Sequence, residues 1–265
     1  AALELQTYIE KISGAQLPVS NDISTDLAIC VGEGSAPAGE TDRLRLDLKG
    51  RGEDGYVMRS SGKRLVLMGN SPRATLYAVY HFLEKYLGCG WCVPGDDTVP
   101  KQATVHLSQF ADAIGPPVMS MRKIVHFADP KADCAVTQAY GADYIRKCVL
   151  PRVDWMAKNR FNWVHLGANG PYIWEREKLR EVLVPEVVKR GLHLEVGGHT
   201  FNTWLPPDRY GKDHPDYWTG GYVCLSHADV ARLMAENMNT WLDENPEVEV
   251  VDLWHNDGSG FCRCP

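Results

Sequence analysis

The chain has 265 residues, 44% hydrophobic and 23% charged, enough to bury a sizeable core in one large domain or two ordinary ones. Its 28 basic and 34 acidic residues give a formal charge of -6, which argues against nucleic acid or an anionic membrane surface as the main partner and suits a neutral substrate. No run approaches the roughly 18 apolar residues of a membrane span, and residues 1–5 lack the basic start and long apolar core of a signal peptide, so any export signal has been removed.

Leu5, Tyr8, Ile9 and Ile12 follow helical spacing, and Gly14 ends that helix. Strands are expected at Leu27 to Val31, at the alternating Leu44-Arg45-Leu46-Asp47-Leu48, and at Tyr56 to Arg59 and Leu65 to Met68, the last two joined across Ser61-Gly62. A second helix runs from about Pro72 to Leu87. Residues 1 to about 112 therefore read as a small α+β domain.

Ile114-Gly115-Pro116-Pro117 reads as a linker, after which strands near 119–127, 162–167, 192–198 and 248–254 alternate with helices near 142–160, 176–190 and 227–243. Pro151 and Pro185 should kink or split the first two helices. Ser226 and Asp229 have the spacing of a capping box at the start of the third. The expected fold class is α/β, with residues 117–265 forming about four units of an incomplete (β/α)₈ TIM barrel, because a closed barrel needs about 250 residues. On that reading the chain is truncated and inactive as it stands.

A barrel carries its active site at the C-terminal ends of its strands, and those positions are polar here. The first strand has Arg122, with His126 and Asp129 after it; His165 and Asn169 come with the second; His199, Asn202 and Trp204 follow the third; His255, Asn256 and Asp257 follow the fourth. Imidazoles, amides, an indole and a carboxylate at one rim suit sugar recognition. Each alone has a bland explanation, since Asn and Asp after a strand form turns and Trp204 can pack under its own loop.

No cofactor is expected, and no metal site is assigned. Cys262-Arg263-Cys264 lacks the usual C-x₂₋₄-C spacing of structural zinc, and Cys89-Gly90-Trp91-Cys92 follows a helix end, which favours core packing or a disulfide. Phosphate loops and a G-x-S-x-G elbow are absent from the sequence, so phosphoryl transfer and serine hydrolysis lose support.

Residues 1–14, 69–80 and Leu87-Gly88-Cys89-Gly90-Trp91 resemble the N-terminal domain shared by bacterial α-glucuronidases and β-hexosaminidases. The second half resembles the unassigned, DUF4838-type family of glycoside-hydrolase-related barrels, which includes endo-β-N-acetylglucosaminidases acting on N-glycans. That likeness rests on residues 158–163, Gly198-His199-Thr200-Phe201, His214-Pro215-Asp216-Tyr217, Cys224-Leu225-Ser226, Asn256-Asp257-Gly258 and Phe261-Cys262-Arg263-Cys264. The family motif continues to a third cysteine that this chain lacks.

The resemblance implies a secreted or periplasmic glycosidase. Asp257 would be the general acid or transition-state-stabilising carboxylate. Arg122, His165, Asn169, His199, Trp204, His255 and Asn256 would position an oligosaccharide or polysaccharide containing N-acetylglucosamine or glucuronic acid. Paired-carboxylate and substrate-assisted mechanisms both remain open. The alternatives are a non-catalytic carbohydrate-binding protein and a zinc-stabilised module using Cys262 and Cys264.

Overall fold

The computed structural model describes residues 1–21, 28–61, 63–125, 145–167, 170–176, 178–255, 257–258 and 262. The chain divides into two units, the first made of Ala1–Arg122 with Asp154–Asn162 and the second of Lys123–Val153 with Trp163–Pro265.

In the first unit, helix α1 (Ala2–Ser13) buries Leu5, Tyr8, Ile9 and Ile12 on the stripe that the spacing predicts. Gly14 ends it in the left-handed conformation, φ 79°, where its N–H reaches the Glu10 carbonyl. Strands β1 (Ala28–Val31), β2 (Tyr56–Ser60), β3 (Arg64–Gly69) and β6 (Phe110–Ile114) form a sheet in the order β1-β3-β2-β6. Pairing of β2 with β3 is antiparallel from Tyr56↔Gly69 to Ser60↔Leu65, so the predicted hairpin forms; Gly62 itself lies outside the described residues. Helix α3 (Pro72–Leu87) starts with the Ser71 hydroxyl accepting from the Ala74 N–H and packs against β2 and β3.

The segment expected as a strand at 44–48 is instead the end of helix α2 (Ala38–Leu48). Three leucines two apart mimic a strand, but burial has the helical period: Thr41, Leu44 and Leu48 are inside while Leu46 is 73% exposed. Leu44 and Leu48 pack with Cys30, Val57, Val66 and Met68 to close that face of the sheet.

The small hairpin β4 (Gly90–Val93) and β5 (Asp96–Thr98) presents Trp91 edge-on to Tyr8 and Tyr80, with ring centroids 5.1 and 5.9 Å away. Cys89 is buried, its thiol pushed up to about 11 chiefly by desolvation, whereas Cys92 is exposed. Both are free thiols, so packing explains Cys89 and the disulfide alternative does not hold.

In the second unit, β7 (Trp163–Leu166), β8 (His193–His199) and β11 (Val250–Trp254) form a parallel sheet in the order β11-β8-β7. These are the strands expected near 162–167, 192–198 and 248–254. Residues 119–125 of the first expected strand form no strand; residues 126–127 lie outside the described set. There the Arg122 N–H donates to the Asn162 side-chain oxygen at 2.8 Å and the Asn162 N–H to the Arg122 carbonyl at 3.1 Å, a single clasp instead of a ladder. Among the described residues no closed barrel is formed.

A π turn (Ile145–Val149) leads directly into α4 (Leu150–Lys158), so the helical path changes from π to α just before Pro151. The helix expected at 176–190 is two helices, α5 (Gly170–Arg176) and α6 (Leu179–Lys189), and α6 runs unbroken through Pro185.

After β8 come the short helices α7 (Phe201–Trp204) and α8 (Pro207–Tyr210), the two-residue strands β9 (Trp218–Thr219) and β10 (Tyr222–Val223), and the long helix α9 (Ala228–Glu244). His227 is the N-cap of α9 and makes no side-chain cap hydrogen bond, so the expected capping box is not the device that starts it; Asp229 pairs with Arg232 at 3.0 Å. No described helix is long and apolar enough to cross a membrane.

Candidate active site on the parallel sheet

Register decides which side chains meet. His165 pairs with Glu195, Gly197 with Asp252, and His199 with Trp254, so strand alternation puts all six on one face. On the other face Val164, Leu166, Leu194 and Val196 are buried apolar residues. A charged face on a strand otherwise built for burial has to be satisfied internally.

Its lower layer is a buried polar cluster. Lys123 Nζ lies 2.7 and 2.6 Å from the two Glu195 carboxylate oxygens. His165 is fully buried, with Nε2 3.2 Å from Asp252 Oδ2 and 3.9 Å from Glu195 Oε1. Burial lowers the His165 pKa against the opposing pull of Glu195 and Asp252, so the ring is held neutral and donates its Nε2 proton to Asp252. Gly197 makes the close approach of Asp252 possible: a Cβ there would stand 2.0 Å from the Asp252 carbonyl oxygen.

His165, Glu195 and Asp252 offer ligand atoms within 4.8 Å of one another, a spacing a divalent cation could use. The Lys123 ammonium already supplies the positive charge there, held on both Glu195 oxygens.

Above this layer, at the C-terminal ends of β8 and β11, lies the rim. The Trp254 ring stacks over His165 at 5.7 Å and meets His199 edge-on at 5.5 Å. His199 Nδ1 donates to the His255 carbonyl, and its Nε2 faces Asp257 Oδ2 at 3.3 Å. The Tyr222 hydroxyl donates to the Asp257 carbonyl at 2.9 Å, fixing the loop, while the Asp257 carboxyl is 90% exposed.

Of the residues expected to form the site, the structure brings together His165, His199, His255 and Asp257. Asn169 and Asn256, like His126 and Asp129, lie outside the described residues. Two expectations are corrected. Trp204 is a core residue: 2% exposed, packed with Leu205, Tyr217, Val230 and Met234, its indole N–H on the Thr200 hydroxyl at 3.0 Å. Arg122 has its guanidinium committed within the first unit, to Asp54 at 2.5 Å and to the carbonyls of Arg160, Met119 and Ser120. His165, being buried, supports the rim instead of touching a ligand.

Glu195, Asp252, Lys123 and Trp254 were missed by rim counting. The signal for Glu195 and Asp252 was a carboxylate inside an apolar strand run, Leu194-Glu195-Val196 and Val251-Asp252-Leu253, two residues or more before the strand end.

Residues 91–265 match the family model described as "Domain of unknown function (DUF4838)". The chain belongs to the DUF4838 family. Residues 1–82 match the glycosyl hydrolase family 67 N-terminus, which makes this DUF4838 protein glycoside-hydrolase-related. No curated protein matches it. Among solved structures, it is similar to CpGH89 from Clostridium perfringens in complex with its substrate GlcNAc-α-1,4-galactose, with a TM-score of 0.52 and 12% identity over 89% of this chain. The chain spans 30% of that protein's length, and the likeness is one of fold.

Proposed function

We propose that this DUF4838 chain carries the acid-bearing part of a glycosidase site, with Asp257 as the general acid. The observation that carries the reading is the 3.3 Å contact of the Asp257 carboxyl with His199 Nε2 beside Trp254, at the ends of adjacent parallel strands. Asp257 would protonate the glycosidic oxygen as the bond breaks, with His199 Nε2 3.3 Å from its carboxyl orienting it. Trp254 offers an aromatic edge at the sugar position, and His199 and His255 offer polar groups, joined by Asn169 and Asn256 on sequence grounds.

Glu195 and Asp252 are committed to Lys123 and His165, so they fix the rim instead of attacking the sugar. The second role in cleavage then falls to a substrate acetamido group or to a carboxylate outside the described set. The glycosyl hydrolase family 67 match and the fold likeness to CpGH89 support a glycan containing glucuronic acid or N-acetylglucosamine as substrate. In this reading the chain is a small α+β domain over 1–112 followed by (β/α)₈ barrel units over 117–265, in a secreted or periplasmic protein.

Asp257→Asn in the full-length protein tests it. Loss of a general acid removes about 10²–10⁴-fold in rate, so turnover should fall at least 100-fold with glycan binding kept. Binding that persists in a protein with no turnover to lose would favour a carbohydrate-binding role.

A further inference from the structure

Two Asp-Gly pairs occur in the sequence, Asp54-Gly55 and Asp257-Gly258. An aspartate followed by glycine can close a ring on itself, because no Cβ keeps the next amide nitrogen from the side-chain carboxyl. The structure treats the two pairs in opposite ways. Asp54, in the first unit, has a side chain only 7% exposed. Its Oδ1 accepts from Arg73 Nε at 2.7 Å, its Oδ2 from Arg122, and the Gly55 N–H is committed to the Gly52 carbonyl at 3.1 Å. Both partners of a ring closure are therefore occupied.

At the second pair both are available. The Asp257 carboxyl is 90% exposed. Gly258, at φ 113°, meets no acceptor with its N–H among the described residues. The Tyr222 hydroxyl donates to the Asp257 carbonyl at 2.9 Å, which draws electron density from the 257–258 peptide and makes its N–H easier to lose. His199 Nε2 stands 3.3 Å from Oδ2, where a doubly protonated imidazole can hand a proton to a departing oxygen.

We propose that Asp257-Gly258 is a site of spontaneous conversion to isoaspartate through a cyclic succinimide. In the protonated carboxyl form, the Gly258 nitrogen bonds to Asp257 Cγ and one Cγ–O bond breaks. The oxygen leaves as water with the carboxyl proton and the amide proton. A water then opens the ring. Attack at Cγ restores aspartate, whereas attack at the main-chain carbonyl leaves the chain running through Cγ as isoaspartate, with no net change in composition. The product has a longer backbone and a shorter side chain, so its carboxyl is drawn back from His199. The modification is independent of the glycosidase reading; that it removes turnover rests on that reading.

The experiment follows isoaspartate in the full-length protein, warmed for several weeks at neutral pH either folded or in denaturant. Peptides are mapped by electron-transfer fragmentation, which separates isoaspartate from aspartate. In denaturant both pairs should convert at comparable rates. In the folded protein residue 257 should convert roughly tenfold or more faster than residue 54, whose reaction has to wait for local opening. Asp257→Asn should deamidate at that position to a mixture of aspartate and isoaspartate, since asparagine closes the same ring with ammonia leaving. Equal conversion of the two pairs in the folded protein, an unmodified Asp257 where the denatured chain converts, or an asparagine at 257 that stays intact would each overturn the proposal. If isoaspartate forms at 257 in a protein without turnover, the modification stands and the glycosidase reading falls.

Discussion

The two sheets of this protein are built for different ends. In the first unit, Val57, Val66 and Met68 give the sheet an apolar face closed by Leu44 and Leu48 of α2. In the second unit, one face of a three-stranded sheet carries His165, Glu195, Asp252 and His199. Apolar burial needs only volume and area, whereas buried charge needs each partner in place. The first sheet is therefore a scaffold, and the second holds the polar groups on which the proposed chemistry rests.

The sharpest way to break the second sheet is at its closest backbone approach. Gly197→Ala puts a methyl 2.0 Å from the Asp252 carbonyl oxygen, so β8 and β11 cannot keep their register. Chemical unfolding should show the second unit's transition lost or shifted by about 3 kcal/mol or more.

Next in size is Lys123→Met, which leaves the Glu195 carboxylate, 4% exposed, without its cation. The expected cost is about 3 kcal/mol, and Lys123→Met with Glu195→Leu should recover most of it. Failure of the double variant to recover would show that the pair is not an isolated charge problem. In the scaffold sheet the comparable change is Leu44→Ala, a fully buried side chain, with an expected loss of about 3 kcal/mol that no change of charge can repair.

The smallest effect separates the sheets by pH. Burial holds the folded His165 pKa below its ordinary value of 6.5, so acid favours the unfolded chain, which binds the proton more readily. The contribution is present above pH 6.5 and is lost as pH falls from there through the folded pKa. His165→Gln should flatten that part of the stability profile, and an unchanged profile would assign the acid sensitivity elsewhere.

Much of this architecture was legible in the sequence: α1 buries the stripe that its spacing predicts, and α3, β7, β8 and β11 lie close to the segments expected for them. Leu44-Arg45-Leu46-Asp47-Leu48 misled because three alternate leucines fit two periods, and only the core above them chooses. The rim imidazoles and Asp257 could be read from strand ends. The buried layer could not be read that way, since the meeting of His165, Glu195 and Asp252 depends on register between strands far apart in the chain. Trp204 and Arg122 were misassigned for the converse reason: their types suit sugar contact, but local packing and ion pairing had already claimed them.

The central claim is glycan cleavage at the rim that bears Asp257, and it is tested most directly by product analysis. The full-length DUF4838 protein would be incubated with N-acetylglucosamine-containing glycans and with glucuronic-acid-substituted xylans, alongside Asp257→Asn, and the products read by mass. The expected result is release of sugar from one of the two classes by the unsubstituted protein and at least 100-fold less by the variant. Release that is equal in both proteins, or binding with no release from either class, would contradict it.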